Sequence, residues 1–288
     1  MTSVESTTVT YEEIGPRICV TPPYYALGDL TSPAPGLARA TVPVQTPTGR
    51  QMTHINLAEG GRHLAILGLC AAASTNPRAG QHYYLAHRGV GRMYPPAKTL
   101  TTLRGTATAR MSGRNRAFAE TELRDADDNL VARLDLEYLV LSVPVFRRLM
   151  GPATAPDATE PASPYSAPAP LTDVAVDARG ATAKLSVEAA TCQGHFAGHP
   201  ALPVSVAGYA TFALFDHVLE AAMGPDARWQ AGRYRLEADH LASAGQTCAV
   251  DVEPSAPAEP EAHDKGFTGT LRSGDRDVFT IQVDYTDV

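Results

Sequence analysis

The chain has 288 residues, of which 44% are hydrophobic, and a formal net charge of −7. This length suggests about two domains of ordinary size, and the apolar content is that of a globular protein with a sizeable core. Acidic and basic residues are interspersed with an acidic excess, which argues against a nucleic-acid-binding surface. The four cysteines are scattered without a CxxC pair, so neither a zinc site nor a disulfide framework is expected.

Membrane and export signals are also missing from the sequence pattern. No apolar run approaches the ~20 residues that a bilayer-spanning helix needs. The first residues carry neither a basic region nor an apolar core of the kind found in signal peptides. We therefore expect a cytoplasmic protein with reduced cysteines.

The first half predicts short strands, then one helix, then four longer strands. Strand-like runs cover 7–14, 17–21 and 38–44, and a Leu- and Ala-rich helix covers 54–74 and closes at Asn76-Pro77. Turn-forming residues then separate strands at 83–92, 100–111, 117–124 and 131–141. A helix followed by long antiparallel strands is an α+β order.

The second half repeats this order after a Pro- and Ala-rich linker at 151–170. Strands at 173–176 and 183–189 precede a helix at 204–223, and further strands follow at 229–238, 247–253, 265–271 and 277–285. We therefore predict two repeats of one α+β fold, 1–150 and 171–288, which pack as a pseudo-dimer within one chain. Further association into a homodimer stays open.

The most distinctive stretch is GHFAGHPALP at 194–203, immediately before the second predicted helix. It resembles the signature of the β-hydroxyacyl-(acyl carrier protein) dehydratases, which have the hotdog fold, a long antiparallel sheet wrapped around one central helix. The resemblance implies a double hotdog here and makes His195 the catalytic base. In that family an acidic residue follows the histidine by fourteen positions, and in homodimers the two residues come from different subunits.

Each half departs from this pattern in a complementary way. Tyr209 stands fourteen residues after His195, where the acid belongs. In the first half, Glu59 and His63 match the family's acid-x-x-x-Gln/His helix, but Gln45 stands fourteen residues before Glu59, where the histidine belongs. The resemblance therefore implies one composite site of His195, Glu59 and His63, and one inactive site of Gln45 and Tyr209. This arrangement resembles that of the double-hotdog dehydratase domains of polyketide synthases. In those domains, however, the base usually lies in the first half and the acid in the second.

Helical spacing independently places Glu59 and His63 on one otherwise apolar stripe with Ile66, Leu67 and Cys70. A carboxyl and an imidazole are costly to bury unless they are used. Local alternatives remain for these residues. Glu59 could complete a capping box at the start of its helix, and His63 could be a satisfied core histidine.

The resemblance implies loss of water from a 3-hydroxyacyl thioester, a hydro-lyase reaction of fatty acid or polyketide biosynthesis. His195 would remove the α-proton, Glu59 would protonate the departing hydroxyl, and His63 would orient Glu59. The Gly198 amide would polarise the thioester carbonyl, and Pro203 would help to position the substrate. Thioester hydrolysis, acyl transfer and a non-catalytic acyl-binding role stay open as alternatives, because a fold does not fix a reaction.

The expected partner is an acyl carrier protein whose phosphopantetheine arm carries the 3-hydroxyacyl chain, although coenzyme A could carry it instead. The arm would leave between the two halves. We expect no metal, no organic cofactor, no nucleic acid and no membrane to take part.

Overall fold

The computed structural model describes residues 10–78, 80–95, 102–151, 164–167, 170–196, 198–259 and 265–288. In the first half, these residues form α1 (Tyr11–Ile18), β1 (Gly28–Thr31), β2 (Leu37–Pro43), α2 (Leu57–Thr75), β3 (His82–Met93), β4 (Thr102–Ser112), β5 (Arg116–Arg124), β6 (Leu130–Ser142) and α3 (Val143–Met150). In the second half they form β7 (Leu171–Asp177), β8 (Gly180–Ser186), α4 (Val204–Met223), β9 (Trp229–Glu237), β10 (Thr247–Ser255), β11 (Lys265–Ser273) and β12 (Arg276–Asp287).

All the named strands join one antiparallel sheet in the order β1-β2-β4-β5-β6-β3-β9-β12-β11-β10-β8-β7. The two halves of this order correspond strand by strand, so the sheet has a pseudo-twofold axis where β3 meets β9. At this junction Val90 pairs with Arg235 in antiparallel register. The repeat predicted from the sequence is therefore confirmed as two copies of one topology in a continuous sheet.

Each half wraps its own strands around one buried helix, α2 or α4. The two helices pack against each other where Gly208 faces Ala58. α4 packs closely on β11 because residue 269 is a glycine. A Cβ at Gly269 would overlap the side chain of Thr211 on α4. α4 is thereby packed closely on the strands of its own half.

The α2 and α4 predictions are confirmed, α4 at both ends. Asn56 begins α2, because its Oδ1 accepts the backbone N–H of Ala58 at 2.9 Å. Most predicted strands also match within two residues. The strand predicted at 183–189 begins and ends three residues earlier than expected, as β8, and a short 3₁₀ turn at Ala190–Cys192 follows.

The strands predicted at 7–14 and 17–21 are wrong over the described residues, because Tyr11–Ile18 is the helix α1. The run of Thr and Val that precedes it favoured a strand. Thr10 instead caps the helix, and its backbone N–H donates to Glu13 at 3.1 Å. Ile14 and Ile18, one turn apart, are then fully buried in the core. Residues 7–9 lie outside the described part of the chain.

Two short elements were not predicted, namely β1 and α3. Most of the predicted linker at 151–170 lies outside the described residues, so its boundaries stay a prediction. In the described ranges, none of the helices is long and apolar enough to cross a membrane.

Candidate active site

The histidine-bearing turn between β8 and α4 is fixed by the N-terminal segment of the chain. The N–H of Thr21 donates to the carbonyl of Gly194 at 2.9 Å, and Val20 forms an isolated antiparallel bridge with His195. Gly194 has a φ of +78°, and a Cβ there would collide with the carbonyl oxygen of Thr21. Only glycine therefore allows this close approach.

His195 is held as a neutral imidazole with a defined tautomer. Its Nδ1 lies 2.9 Å from the carbonyl oxygen of Ala201, and because this oxygen can only accept, Nδ1 carries the proton. Burial lowers the pKa of His195 to about 4, although the bond to Ala201 acts in the opposite direction. Near neutral pH the ring is uncharged, and Nε2 keeps the lone pair that a general base needs.

Two aromatic rings hold the His195 ring in place. Phe196 stacks on it with ring centroids 3.8 Å apart, and Tyr24 meets it edge-on at 4.9 Å. Phe196 has a φ of +59°, a left-handed conformation that costs energy for a bulky residue. Its buried contacts with Tyr83 and Phe146 offset that strain. The strained residue directly follows the proposed base, as is common at functional sites.

His195 lines a large cavity between α2, α4 and strands of both halves. The empty volume between its walls, including the part open to solvent, is about 1180 Å³. Its walls are mostly apolar, with contributions from Leu69, Leu136, Phe212 and Phe279. The polar side chains on its wall are those of Tyr24, Arg62, Tyr84, Tyr138, His195, Ser205, Tyr234, Asp239 and His240.

The α2 face that lines this cavity matches the predicted stripe only at Ile66, and most of the lining residues stand one position earlier. Ala58, Arg62, Ala65 and Leu69 line the cavity, whereas Glu59 and His63 do not. One residue corresponds to a rotation of about 100° around a helix. Glu59 and His63 are buried on the neighbouring face of α2. The cavity wall therefore presents a guanidinium where the sequence predicted a carboxyl group.

Glu59 binds the turn of its own half. Its Oε1 accepts the backbone N–H of Gln45 at 2.7 Å, and its Oε2 accepts that of Thr46 at 3.1 Å. Both carboxylate oxygens thus accept a backbone amide, of which that of Thr46 is buried and needs a partner. No described contact joins Glu59 to His195. Glu59 does not form a capping box, because its two oxygens accept the N–H groups of Gln45 and Thr46 rather than that of Asn56.

His63 contacts Glu59 and Arg62. Its Nε2 lies 3.5 Å from Oε1 of Glu59 and 3.2 Å from Nη2 of Arg62. A guanidinium can only donate and a carboxylate can only accept, so these two contacts favour opposite tautomers of His63. Among the described residues Nδ1 has no hydrogen-bond partner. Burial lowers the pKa of His63 to about 4, with Glu59 opposing and Arg62 adding to the effect.

Arg62 is a buried cation that the sequence reading missed. Its Nη2 donates to Oε1 of Gln45 at 2.5 Å and lies 3.9 Å from Oε1 of Glu59. Its guanidinium also lies over the rings of Tyr165 and Tyr24, at 5.1 and 5.9 Å from their centroids. Arg62 therefore borders both the large cavity that His195 lines and a smaller one that Glu59 and Tyr209 line.

Tyr24 and Ser205 complete the polar group that faces His195. The hydroxyl of Ser205 donates to that of Tyr24 at 3.3 Å. Burial raises the pKa of Tyr24, while Ser205 and Arg62 act in the opposite direction. Tyr24 precedes the first predicted helix by about thirty positions. Nothing in its local sequence marks it, because only the tertiary contact with the turn at 194–195 brings it to the site.

The remaining predicted residues lie where α4 begins and where the second site was expected. Gly198 has a φ of +79°, and the carbonyl of Pro203 accepts the N–H groups of Val206 and Ala207 at the start of α4. Their roles toward substrate stay predictions. Tyr209 donates to the carbonyl of Pro47 at 3.3 Å, two residues after Gln45. The inactive site of Gln45 and Tyr209 stays a prediction.

The sequence matches no family model and no curated protein at a significant level. Solved structures are similar over almost the whole chain. A 12:0-ACP thioesterase from Umbellularia californica has a TM-score of 0.58 at 11% identity and covers 88% of this chain and 94% of its own. The tesB protein of Mycobacterium avium subs paratuberculosis has a TM-score of 0.58 at 13% identity, with coverages of 90% and 96%.

An acyl-ACP thioesterase from Bacteroides thetaiotaomicron has a TM-score of 0.55 at 11% identity, covering 87% of this chain and 98% of its own. At such low identities the likeness concerns the fold alone. The chain has the hotdog fold, present twice, as the sequence resemblance implied.

Proposed function

We propose that the protein is an enzyme that acts on acyl thioesters, and that it removes water from a 3-hydroxyacyl thioester to give a 2-enoyl thioester. One observation carries the proposal. A neutral His195, tied by Nδ1 to the Ala201 carbonyl, lines a deep apolar cavity between the two central helices. A base of this kind beside an apolar channel suits the abstraction of a carbon-bound proton from a lipid-like substrate.

In the proposed reaction, Nε2 of His195 takes the α-proton. Negative charge develops on the thioester oxygen, and a backbone N–H of the turn, with Gly198 as the candidate, would stabilise it. A proton donor then protonates the 3-hydroxyl, the carbon–oxygen bond breaks, and water leaves. General acid–base assistance is typically worth about 10²–10⁴-fold, so the reaction depends strongly on His195.

The cavity suits the proposed substrate class. Its mostly apolar walls would bury an acyl chain, which favours binding by about 0.8 kcal/mol for each methylene removed from water. A phosphopantetheine arm, on an acyl carrier protein or on coenzyme A, would bring the thioester to His195. The reaction consists of two proton transfers and the cleavage of one carbon–oxygen bond, so the proposal includes no metal and no organic cofactor.

Hydrolysis of the thioester is the second candidate, and the position of Glu59 favours it. The acid that the dehydratase resemblance supplies binds Gln45 and Thr46 and is not on the cavity wall. A neutral His195 could deprotonate water as well as carbon. Two of the similar structures described above, those from Umbellularia californica and Bacteroides thetaiotaomicron, carry the name of a thioesterase, although their identity to this chain is low.

One experiment separates these functions. Purified protein is incubated with a 3-hydroxyacyl carrier protein, and separately with the coenzyme A ester, and the products are followed by mass spectrometry and by a free-thiol assay. Dehydration predicts loss of one water from the acyl chain with no thiol released, and predicts that His195→Ala abolishes it. Thiol release by the wild type would establish hydrolysis instead. Tight binding of the acyl carrier without either change would indicate a non-catalytic acyl-binding protein.

A further inference from the structure

Dehydration needs a proton donor for the departing hydroxyl, and the predicted donor, Glu59, does not line the cavity that holds His195. We propose that the hydroxyl of Tyr24 is this donor, and that Arg62 and Ser205 stabilise the phenolate that it leaves. The inference rests on the proposed dehydratase function and assigns its acid to a side chain of the N-terminal segment.

Position is the first argument for Tyr24. Its ring lies edge-on to that of His195, with centroids 4.9 Å apart, and both residues line the same cavity. The backbone fixes this arrangement, because Thr21 donates to the Gly194 carbonyl and Val20 bridges His195. The base and the proposed acid are thus attached to the same rigid junction. Such fixed positions are what acid–base catalysis on adjacent carbons needs.

Electrostatics is the second argument. The Tyr24 hydroxyl accepts a hydrogen bond from Ser205 at 3.3 Å, and the Arg62 guanidinium lies 5.9 Å from the Tyr24 ring centroid. Burial keeps the phenol protonated before reaction. Once the proton has left, the cation and the Ser205 hydroxyl stabilise the phenolate in a cavity where water is scarce. Stabilisation of the phenolate would also explain why Arg62 lies on the cavity-facing side of α2.

The other polar groups on the cavity wall are less well placed for this step. Among the described residues, the ring of Tyr24 contacts that of His195, whereas the rings of Tyr84 and Tyr234 do not. The hydroxyl of Tyr138 donates to the carbonyl of Ala65 at 2.7 Å, and Nδ1 of His240 lies 2.9 Å from the carbonyl of Asp277. The Asp239 side chain is 46% exposed and lies 3.5 Å from His87. Arg62 itself holds its protons too tightly to serve as an acid near neutral pH.

The proposed step balances without any added reactant. Nε2 of His195 accepts the α-proton, and the electron pair of that C–H bond becomes the new carbon–carbon π bond. The bond from C3 to its oxygen breaks, and the Tyr24 proton joins the leaving hydroxyl to form water. The imidazolium and the phenolate then regain their starting forms by transfer of one proton from His195 to Tyr24 through the released water.

The test compares Tyr24→Phe with Tyr25→Phe, a matched control whose hydroxyl is buried away from the cavity wall. Elimination from a 3-hydroxyacyl thioester should fall at least 100-fold in Tyr24→Phe and stay within about threefold of wild type in the control. Exchange of the α-hydrogen for solvent deuterium, followed by NMR, should persist in Tyr24→Phe because His195 is intact. If the substitution instead displaced His195, both the elimination and the α-hydrogen exchange would be lost.

A substrate with a better leaving group distinguishes the loss of the proton donor from a general loss of activity. A 3-chloroacyl thioester releases chloride without protonation, so Tyr24→Phe should process it within about fivefold of the wild-type rate. Ser205→Ala keeps the phenol, so it should show a smaller loss, confined to the hydroxyl substrate. If Tyr24→Phe removes water at more than half the wild-type rate, or loses the chloro substrate equally, the assignment is wrong. If the wild type removes no water, the proposed function itself fails, and the two failures are thus distinguishable.

Discussion

The two turns that precede α2 and α4 occupy equivalent places in the two repeats but use their polar groups differently. In the first, Glu59 accepts the backbone N–H groups of Gln45 and Thr46, so the turn and its helix satisfy one another. In the second, His195 bonds the Ala201 carbonyl through Nδ1 only, and its ring lines the large cavity. Tyr209 replaces the acid on α4 and binds the Pro47 carbonyl.

This difference shows how equivalent polar groups in the two copies of a duplicated fold can take on different roles. A polar group whose hydrogen bonds are all made inside the protein contributes to stability, because breaking them leaves buried groups without partners. A polar group with an open lone pair beside a cavity remains available for chemistry. Glu59 belongs to the first class and His195 to the second. The following predictions, from the largest effect to the smallest, test this division.

The largest effect is expected at the second turn. His195→Gln should lower the rate of reaction with an acyl thioester at least 100-fold, because the proton acceptor is lost. The ring of His199, four residues on, is buried but does not line the large cavity. His199→Gln should therefore stay within about tenfold of wild type. Single-turnover rates with equal amounts of folded protein measure both; similar losses in the two variants would contradict the assignment.

Glu59→Gln should act on stability instead. A glutamine amide offers one acceptor where the carboxylate offered two, so one backbone N–H of the first turn stays unsatisfied beside Arg62. We expect the free energy of unfolding to fall by about 2–4 kcal/mol, measured by urea denaturation. Activity per folded molecule should stay within about tenfold.

The control for this change is Glu122→Gln, which removes a partly exposed carboxylate paired with Arg124. It should cost at most about 0.5 kcal/mol. The account would be contradicted if Glu59→Gln kept the stability of wild type but lost its activity. Glu59 would then be the acid of the reaction.

The pH dependence of stability should report on the buried imidazoles. Burial lowers the pKa of His195 to about 4, so the unfolded chain binds more protons than the native protein between its ordinary value and about 4. Stability from this residue is present above the unfolded value and is lost as the pH falls toward about 4. His63 acts in the same sense.

Replacing His195 should therefore weaken the dependence of stability on pH. Between about pH 7 and about pH 4.5, the loss of unfolding free energy in His195→Gln should be smaller than in wild type by about 2 kcal/mol. Urea denaturation at both pH values measures it. An unchanged difference would mean that His195 is not buried as a neutral ring.

The smallest effect is expected at Gly61, on the cavity-facing side of α2. A Cβ there meets no atom within 4 Å, and the residue lines the large cavity. Gly61→Leu should lower kcat/KM several-fold for long acyl chains and leave short chains unaffected, because the side chain shortens the space for the acyl tail. Stability should change by about 1 kcal/mol or less, since glycine is unfavourable inside a helix. Gly61→Ala is the control, and a uniform loss for all chain lengths would place the acyl chain elsewhere.

Much of the fold could be predicted from the sequence because its signals are local. The apolar run of α4 and the alternation of the strands depend on neighbouring residues, and both agree with the structure. The turn at 194–203 was also recognisable, since its glycines and prolines serve its own backbone. The helix α1 was misread because a Thr-rich approach favours a strand until Thr10 acts as a cap.

The composition of the site could be predicted only in part. His195 follows from its motif, whereas the choice between Glu59 and Arg62 depends on how α2 is rotated about its axis. Two faces of α2 are apolar enough to be buried, so helical spacing alone does not show which one meets the cavity. Tyr24 reaches the site through contacts between distant segments, which no local pattern records.

The most direct test of the difference between the two turns is the ¹⁵N NMR spectrum of histidine-labelled protein across a pH titration, with His195 assigned from the spectrum of His195→Gln. We expect Nδ1 of His195 to carry the proton at neutral pH, Nε2 to be unprotonated, and the ring to titrate near pH 4. The same signals should persist in Glu59→Gln. A protonated Nε2, or titration at the ordinary histidine value of about 6.5, would contradict the assignment of His195 as the base.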